Sequence, residues 1–305
     1  MVLDFSTLSQ KQINKIGKKF RDSIQDEADF EILEEFKKSY DELLIEYTSK
    51  ISKDLNSLGS NFVIAGRLKR TSSIIRKLQR PQNKGMDLTR MSDIAGTRVI
   101  VENLTDQKKI LELLKEKYSV EKIYDYVESD QNYKSIHLVL KEEPYKYIEV
   151  QIRTLAQQTW ADESEEFGEQ AKQGLYPEVV KDYLTLLSTV MYKIDKGMDF
   201  DLSKIDNHFF EQKSPVKGKF NIIKKEFQKN FDLYDNPNYL LIVYDKYDST
   251  LVSKDIFDLR DRNKIFDLYR YKSQILDESQ FEIIFFVSSL GDDVLRVSHP
   301  RFFIR

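Results

Sequence analysis

Residues 135–153 read SIHLVLKEEPYKYIEVQIR, and this stretch decides the fold class. Apolar and polar side chains alternate on both sides of residues 142–144, as they do in strands that bury one face. A three-residue loop at 142–144 sets His137 opposite Glu149 across the two strands. The stretch therefore predicts a β-hairpin. Its strands are predicted at 135–141 and 145–153.

One face of this hairpin gathers polar side chains. In the same register Ser135 lies opposite Gln151, beside His137 and Glu149. A hydroxyl, an amide, an imidazole and a carboxylate would then share one sheet face. A solvated face is the alternative interpretation, and a shift of register by one residue would separate the group.

Strands and helices continue on both sides of the hairpin. The runs at 97–102 (TRVIVE) and 61–69 are short and rich in β-branched residues, and both predict strands. A helix is predicted over 72–80, because Pro81 cannot continue it. Further helices are predicted over 1–58 (as one long helix), 106–118, 155–172 and 177–196. We expect an α/β (α+β) fold in which a mixed β-sheet is flanked by helices.

The chain beyond residue 200 is predicted to form a separate part. Residues 201–218 are polar and hold Pro215 and Gly218, which indicates a linker. After it we predict helices at 219–231 and 254–276, strands at 239–245 and 281–288, and one or two short strands up to Arg305. The predicted domains are an N-terminal helical segment (1–58), a core domain (59–200), a linker (201–218) and a small C-terminal α/β region (219–305). A regulatory, oligomerising or self-inhibiting role for the last region is a hypothesis based on its length.

Composition excludes several classes of protein. The chain has 305 residues and no cysteine, which excludes a disulfide scaffold, a zinc finger and a cysteine nucleophile. Its three histidines are far apart in sequence, so a histidine-rich metal site is not expected. A net charge of −3 gives no overall attraction to nucleic acid or to a membrane. No apolar run of signal-peptide or membrane-spanning length occurs, so we expect a cytoplasmic protein without a membrane partner.

Cationic side chains gather around the predicted helix that follows the first strand. Arg67 and Lys69 share one face of that strand. Ser73 and Lys77 share one face of the helix, which ends at Arg80. The free N–H groups and the dipole at the start of a helix also attract anions. The pattern suits a polyphosphate, and a solvated basic face is the alternative for this segment alone.

Three further residues have chemistry that suits a nucleotide. Asp93 precedes a predicted buried strand, and Mg²⁺ prefers one or two carboxylates together with substrate phosphates. A simple turn residue is the alternative for this aspartate. Arg98 can stack its guanidinium plane on a base. Tyr133, in the loop before the hairpin, can stack on a base as well, or it can be a lid over the core.

Together these segments resemble the synthetase domain of the RelA/SpoT family of alarmone synthetases. That family shows the motifs G-R-x-K with a following Ser and Lys, D-I-A-G-x-R, G-Y-x-S-x-H and E-x-Q-I-R-T, in this order. The matching segments here are 66–69 with Ser73 and Lys77, then 93–98, 133–137 and 149–154. The resemblance covers about residues 40–200 and implies a fold similar to the nucleotidyltransferases.

The resemblance also implies a reaction and a role for each matching residue. The family moves the β,γ-pyrophosphate of ATP onto the 3′-hydroxyl of GDP or GTP. On this resemblance the ATP phosphates are held by Arg67, Lys69, Ser73, Lys77 and Arg80, and adenine lies between Arg98 and Arg67. Asp93 and Glu149 bind Mg²⁺, and Glu149 accepts the proton of the 3′-hydroxyl. The acceptor guanine stacks on Tyr133, with Lys134, His137 and Gln151 on the same side.

The acceptor side departs from the family pattern. Asn132 stands where Gly is usual before the tyrosine, and Lys134 stands where Arg is usual after it. The motif W-A-x-x-E-H lacks its histidine in residues 160–165. Toxic small members of the family use other acceptors, namely adenosine nucleotides or the 3′-terminal adenosine of tRNA. Growth arrest or phage defence, of the toxin–antitoxin kind, is therefore an open alternative.

Three hypotheses remain at the level of sequence. The first is a synthetase of a guanosine alarmone, the second is the same transfer to another acceptor, and the third is an inactive nucleotide-binding sensor. Asp93 and Glu149 are both present, which argues against the third. The hydrolase of the long family members uses a His-Asp pair, and this chain contains none, so we expect no hydrolase activity. A homo-oligomer is compatible with the sequence.

Overall fold

The computed structural model describes residues 9–142, 146–167, 177–198, 200–202, 205, 216–229, 237–288 and 292–304. Its helices are α1 (Gln10–Arg21), α2 (Glu27–Lys38), α3 (Asp41–Asn56), α4 (Thr71–Gln79), α5 (Leu104–Lys117), α6 (Leu155–Glu166), α7 (Glu178–Asp195), α8 (Val216–Phe227), α9 (Arg262–Ile275) and α10 (Asp292–Ser298). Its strands are β1 (Phe62–Leu68), β2 (Ala95–Val101), β3 (Val120–Asp125), β4 (Ile136–Glu142), β5 (Lys146–Thr154), β6 (Asn238–Asp245), β7 (Thr250–Asp258) and β8 (Phe281–Ser288).

All eight strands lie in one sheet, in the order β3-β4-β5-β2-β1-β8-β6-β7. The pair β2–β5 is parallel, and the other neighbouring strands are antiparallel. Helices cover both faces of the sheet. The predicted mixed sheet flanked by helices, an α/β (α+β) fold, is confirmed.

The register of the predicted hairpin differs from the prediction. In β4 and β5 His137 lies opposite Gln151, and Glu149 lies opposite Val139. The connection runs through residues 143–145, which lie outside the described residues, rather than through 142–144. The shift amounts to two residues, and because side chains alternate in a strand, it leaves every side chain on its predicted face. His137 and Glu149 therefore still share a face.

The N-terminal region forms three helices instead of the one long helix predicted for 1–58, of which residues 1–8 lie outside the described residues. Helix α1 begins at a capping box in which Ser9 and Gln12 bond each other's backbone. Asp26 and Asp29 make the same arrangement at the start of α2. Such caps satisfy the N–H groups that a helix start leaves without partners, so they favour the start of a new helix at each of these positions. The predicted apolar stripe is nevertheless buried along α2 and α3, as Leu33, Leu44 and Leu55 illustrate.

The C-terminal strands belong to the same sheet as the predicted core domain. Strand β8 pairs with β1, with Arg67 opposite Phe286, and β8 also pairs with β6. The division of the chain at 201–218 stays a prediction, but the two sides of that division share one sheet. The predicted strands 239–245 and 281–288 are confirmed within one residue.

Two C-terminal predictions are wrong. The helix predicted over 254–276 begins only at Arg262, because residues 250–258 form the edge strand β7. Along β7 partly buried and exposed positions alternate, which is the pattern of an edge strand with one face on the core. The short strands predicted after 288 are instead helix α10 and a 3₁₀ turn at Pro300–Phe302. Their apolar side chains pack on the sheet, as Leu295 and Phe302 show.

The two faces of the sheet have different coverings. One face packs on α3, α5 and α9, and side chains of α1, α2 and α4 complete the larger core on this side. The other face meets α6, α8 and α10. Across the described ranges, none of the helices combines the length and the apolarity that crossing a membrane requires. The face with α6 and α10 carries the polar side chains of β1, β2 and β5.

Candidate functional site

A cavity opens on this face where β1, β2 and β5 lie side by side. Its volume is about 160 Å³, or about 680 Å³ when the open space at its mouth is included. Six of the residues predicted from sequence line it, namely Arg67, Lys69, Asp93, Arg98, Glu149 and Gln151. The fold therefore brings both sides of the predicted site to one place.

Asp93 lies between two ammonium groups at one end of the cavity. Lys69 Nζ is 3.0 Å from Asp93 Oδ2, and Lys77 Nζ is 2.9 Å from Asp93 Oδ1. Lys69 follows the end of β1, and its backbone N–H donates to Ile94 O at 2.8 Å, which holds the two loops together. Burial alone would raise the pKa of Asp93, but the two lysines outweigh it and hold that pKa well below its usual range. The carboxylate is therefore ionised at neutral pH, and both lysines lie within reach of an anion bound beside it.

Glu149 is held by two neighbours on the same sheet face. His137 Nδ1 lies 3.1 Å from Glu149 Oε1, and Gln151 Nε2 donates to Glu149 Oε2 at 2.7 Å. Burial acts to raise the pKa of Glu149, but the hydrogen bond and the charge of His137, together with the hydrogen bond from Gln151, outweigh it, so the pKa is lowered. Burial acts to lower the pKa of His137, while Glu149 and Tyr133 raise it to a greater extent. The pair thus favours an ionised carboxylate beside an imidazole that binds protons readily.

Tyr133 continues this chain of hydrogen bonds. Its Oη lies 2.6 Å from His137 Nε2 and accepts from Arg153 Nη2 at 2.8 Å. Its ring meets Trp160 edge-on, with 6.0 Å between the ring centroids. Burial acts to raise the pKa of Tyr133, but Arg153 and His137 together lower it to about 8. A phenol, an imidazole and a carboxylate are therefore joined in sequence from Tyr133 to Glu149.

Two arginines form the other end of the cavity. Arg67 on β1 and Arg98 on β2 lie on the same face, since Arg67 pairs with Gly96 and Arg98 with Ala65. Arg98 Nη1 donates to Ser298 O at 2.6 Å. Burial lowers the pKa of Arg98 to about 9 and that of Arg67 to about 10, and neighbouring arginines add to both shifts. Both side chains therefore stay charged at neutral pH in a cavity that has space for an anion or a base.

Six predicted residues are not part of the cavity wall in the described part of the chain. Lys77, His137 and Tyr133 contact wall residues, namely Asp93, Glu149 and Arg153. Ser73, Arg80 and Lys134 have the following surroundings. Ser73 Oγ accepts from Arg76 Nη2 at 3.3 Å on α4. Arg80 caps the C-terminal end of the same helix. Lys134 donates to Ser129 O, and its Nζ lies 5.5 Å from the centre of the Tyr192 ring. The roles predicted for these residues stay predictions.

The departures from the family pattern have structural consequences. Asn132 Nδ2 donates to Thr185 Oγ1 at 2.8 Å, which ties the loop before Tyr133 to α7. Glu165 stands where the motif W-A-x-x-E-H ends in histidine, and it lines the cavity. Arg301, from the C-terminal segment, lies 3.3 Å from Glu165 Oε2. The chain therefore places a carboxylate and its arginine partner where the motif has an imidazole.

Sequence reasoning gave no role to six residues of the cavity wall, of which Arg153, Glu165 and His299 are ionisable. The signal for Arg153 is the alternation along residues 149–153, which puts its side chain on the face of Glu149 and Gln151. Glu165 was noted only as a departure. His299 had no signal at all, because the fold brings it to the cavity from a distant part of the chain.

The cavity also contains carboxylates that suit Mg²⁺. In the described ranges no group of three or more His, Cys, Asp or Glu side chains lies close enough to hold a metal by itself. Mg²⁺ usually binds through one or two carboxylates and takes its other ligands from phosphates and water. Asp93 and Glu149 face the same cavity and repel each other electrostatically. This donor set fits a cation that arrives with a nucleotide.

Comparison with known proteins places the chain in a family. The sequence model described as "Region found in RelA / SpoT proteins" matches residues 66–172. The GTP pyrophosphokinase YjbM of Bacillus subtilis is 30% identical over 146 residues, which are 44% of this chain and 69% of that protein. The chain belongs to the RelA/SpoT family. The GTP pyrophosphokinase rsh of Brucella melitensis is 32% identical over 127 residues, which are 39% of this chain and 16% of that protein.

Solved RelA/SpoT-type structures resemble the chain as well. The small alarmone synthetase 1 of Bacillus subtilis bound to pppGpp is 26% identical, with a TM-score of 0.46, over 55% of this chain and 93% of that one. A GTP pyrophosphokinase family protein from Streptococcus pneumoniae is also 26% identical, with a TM-score of 0.46, over 57% of this chain and 92% of that one. The matched RelA/SpoT region ends at residue 172, so β6, β7, β8 and α10 lie outside it.

Proposed function

We propose that this chain is a pyrophosphotransferase that moves the β,γ-pyrophosphate of ATP onto the 3′-hydroxyl of GDP or GTP. The observation that carries the proposal is that Asp93 and Glu149 face one cavity with cations at both ends. Transfer of phosphoryl-type groups depends mainly on positioning and on neutralising charge. Membership of the RelA/SpoT family, and the names of the relatives, support this reaction.

In this proposal the donor nucleotide lies along the cavity, with its phosphates and its base at opposite ends. Its phosphates meet Lys69 and Lys77, which now bind Asp93, and its adenine lies between Arg67 and Arg98. The ammonium groups can turn from Asp93 to phosphate oxygens when Mg²⁺ joins the carboxylate. When bound, Mg²⁺ supplies further charge neutralisation at the phosphates. Ser73 and Arg80 lie on the helix beside these lysines and complete the phosphate side of the proposal.

Glu149 is the group that receives the acceptor's proton. The 3′-oxygen forms a bond to the β-phosphorus, the bond from that phosphorus to the α,β-bridging oxygen breaks, and AMP leaves. The hydroxyl proton passes to Glu149, which is ionised because its pKa is lowered. His137 and Gln151 hold the two carboxylate oxygens in place. Tyr133 stacks on the acceptor base, with Lys134 nearby.

A second candidate is the same transfer to an adenosine nucleotide or to the 3′ end of tRNA. Lys134, which replaces the usual arginine, donates to Ser129 O, and Asn132 binds Thr185. Both substituted residues are thus bonded to this chain's own loop and helix. That arrangement favours an acceptor other than GDP or GTP, whereas the donor side keeps the residues of the family motifs.

The test uses ATP labelled at its γ-phosphate, with Mg²⁺, offered in parallel to GDP, GTP, unlabelled ATP and deacylated tRNA. Label on GDP or GTP supports the first candidate. Label on tRNA or on an adenosine nucleotide alone overturns it in favour of the second. Binding of ATP without any transfer overturns both and supports a nucleotide-binding sensor. Glu149→Gln, measured beside the wild type, shows whether any transfer belongs to this cavity.

A further inference from the structure

His299 gives the cavity an imidazole from outside the matched RelA/SpoT region. It follows α10 directly, its backbone N–H donates to Leu295 O at 2.7 Å, and it is 3% exposed. Its ring lies 4.5 Å from the Phe286 ring, centre to centre. It lines the same cavity as Arg67 and Arg98. The C-terminal segment is thus part of the wall at the end where the adenine is proposed to lie.

The contacts of Ser298 determine which nitrogen of this imidazole carries the proton. Ser298 Oγ donates its single proton to Val294 O at 2.9 Å. The same oxygen lies 3.0 Å from His299 Nδ1 and must therefore accept from it. Nδ1 carries the hydrogen, and in a neutral imidazole Nε2 is then a pure acceptor.

The surroundings keep His299 neutral. Burial lowers the pKa of His299 well below its usual range, and the positive charges of Arg98 and Arg67 lower it further. Among the described residues Nε2 has no hydrogen-bond partner, although it is buried. A buried acceptor without a partner is unfavourable in a folded protein, and such atoms call for a ligand or a water molecule. The imidazole that carries this atom is part of the cavity wall.

We propose that His299 Nε2 accepts a hydrogen bond from the 6-amino group of the donor's adenine, and so selects adenine over 6-oxopurines. This inference depends on the proposed function for one point only, namely the position of the donor's adenine in the cavity. Adenine presents an amino group at C6, which donates. Guanine and hypoxanthine present a carbonyl oxygen there, which can only accept, so Nε2 would face another acceptor and stay unpaired. His299 is thus a specificity-determining residue that the C-terminal segment adds to a family site.

Calorimetric titration without any acceptor tests this inference. The ligands are ATP, purine riboside triphosphate (hydrogen at C6) and inosine triphosphate (carbonyl at C6), each with Mg²⁺. The wild type is expected to bind ATP about tenfold more tightly than either analogue, as a site built around one hydrogen bond does. His299→Phe keeps a ring of similar shape beside Phe286 and removes the acceptor. It is expected to weaken ATP binding about tenfold and to leave the two analogues unchanged.

Ser298→Ala provides a second variant that keeps the imidazole. Without the serine oxygen the proton can move to Nε2, which then donates to a carbonyl, so the preference for ATP over inosine triphosphate is expected to narrow. Arg296→Lys, on the same helix but bonded to Phe303 O, is the matched control and should bind like the wild type. If His299→Phe fails to fold, the preference of Ser298→Ala for ATP over inosine triphosphate tests the inference by itself.

Several outcomes overturn the inference. Equal affinity of the wild type for ATP and inosine triphosphate overturns it. An equal loss of affinity for all three ligands in His299→Phe overturns it as well. Tighter binding of all three in His299→Phe also overturns it, because the residue would then only obstruct the cavity. A wild type that prefers ATP but transfers no pyrophosphate leaves the inference in place and removes the proposed function. A wild type that transfers pyrophosphate but binds ATP and inosine triphosphate equally leaves the proposed function in place and overturns the inference.

Discussion

His137 Nδ1 lies 3.1 Å from Glu149 Oε1, although the two residues are not opposite each other in the sheet. Gln151 faces His137 and Val139 faces Glu149, so the contact runs diagonally between β4 and β5. Through Nε2 the same imidazole meets Tyr133 Oη at 2.6 Å. One imidazole therefore orients both the proposed proton acceptor and the proposed stacking residue.

Glu149→Gln is expected to reduce pyrophosphate transfer by about 10²- to 10⁴-fold, the usual contribution of a positioned base. Glutamine keeps the shape of the side chain but cannot take the 3′-hydroxyl proton. The affinity for ATP, measured by calorimetry, should stay measurable. The matched control is Glu178→Gln on α7, an exposed glutamate whose side chain is 75% accessible. Unchanged turnover in Glu149→Gln removes this residue from the mechanism.

Tyr133→Ala is expected to raise the KM of the acceptor by about tenfold or more, because stacking on a base contributes about 1–3 kcal/mol. The KM of ATP should change little. Tyr133→Phe keeps the ring and removes the hydrogen bonds to His137 and Arg153. In that variant the KM of the acceptor should stay near the wild-type value while kcat falls. Steady-state kinetics with each substrate varied separates the two effects, and an equal loss for ATP and acceptor contradicts the stacking role.

The composition of the site could be predicted from sequence because its residues lie in short segments with clear periodicity. Alternation along residues 149–153 predicts that Glu149 and Gln151 share one face, and the sheet keeps them there. The pairing of that face with His137 was predicted in the wrong register. Alternation determines which face a side chain occupies, whereas loop length determines its partner.

The contribution of the C-terminal segment could not be predicted in this way. Strand β8 pairs with β1 across more than half of the chain, and no local pattern encodes a pairing between such distant segments. The contact between Arg98 and Ser298 depends on that pairing, and so does the place of His299 in the cavity wall. Residues 254–258 were assigned to a helix because apolar residues spaced for an edge strand also fit a helix over a short window.

Asp93→Asn is expected to raise the Mg²⁺ concentration needed for half-maximal transfer by about tenfold or more, because one of two carboxylate ligands is lost. Removing Mg²⁺ with a chelator should abolish transfer in the wild type, and restoring Mg²⁺ should return it. A titration of initial rate against Mg²⁺ provides the measurement. Asp267→Asn, at an exposed position on α9, is the control and should titrate like the wild type. An unchanged Mg²⁺ requirement in Asp93→Asn contradicts the ligand role.

Leu295→Ala is expected to lower the free energy of unfolding by about 2–5 kcal/mol, the usual cost of removing a buried leucine side chain. Leu295 is 0% exposed and packs in the cluster that α8 and α10 form on the sheet. Leu186→Ala makes the same change at a position that is 38% exposed, and its cost should be below about 1 kcal/mol. Urea denaturation measures both. Equal costs would show that α10 does not pack on the sheet.

Asp195→Asn is expected to change the pH dependence of stability. The Asp195 carboxylate accepts from Thr154 Oγ1 at 2.8 Å, and burial raises its pKa from 3.8 to about 7. Because the folded protein holds this proton to higher pH than the unfolded chain, the contribution to stability is complete below the unfolded pKa and is lost as the pH rises toward 7. Between about pH 5.5 and pH 8.5 the free energy of unfolding of the wild type should therefore fall by about 2 kcal/mol more than that of Asp195→Asn. Asp182→Asn, at an exposed position on the same helix, is the control, and its free energy of unfolding should fall as much as that of the wild type. Urea denaturation at the two pH values tests this, and equal losses in the wild type and Asp195→Asn would show that the carboxyl is ionised throughout.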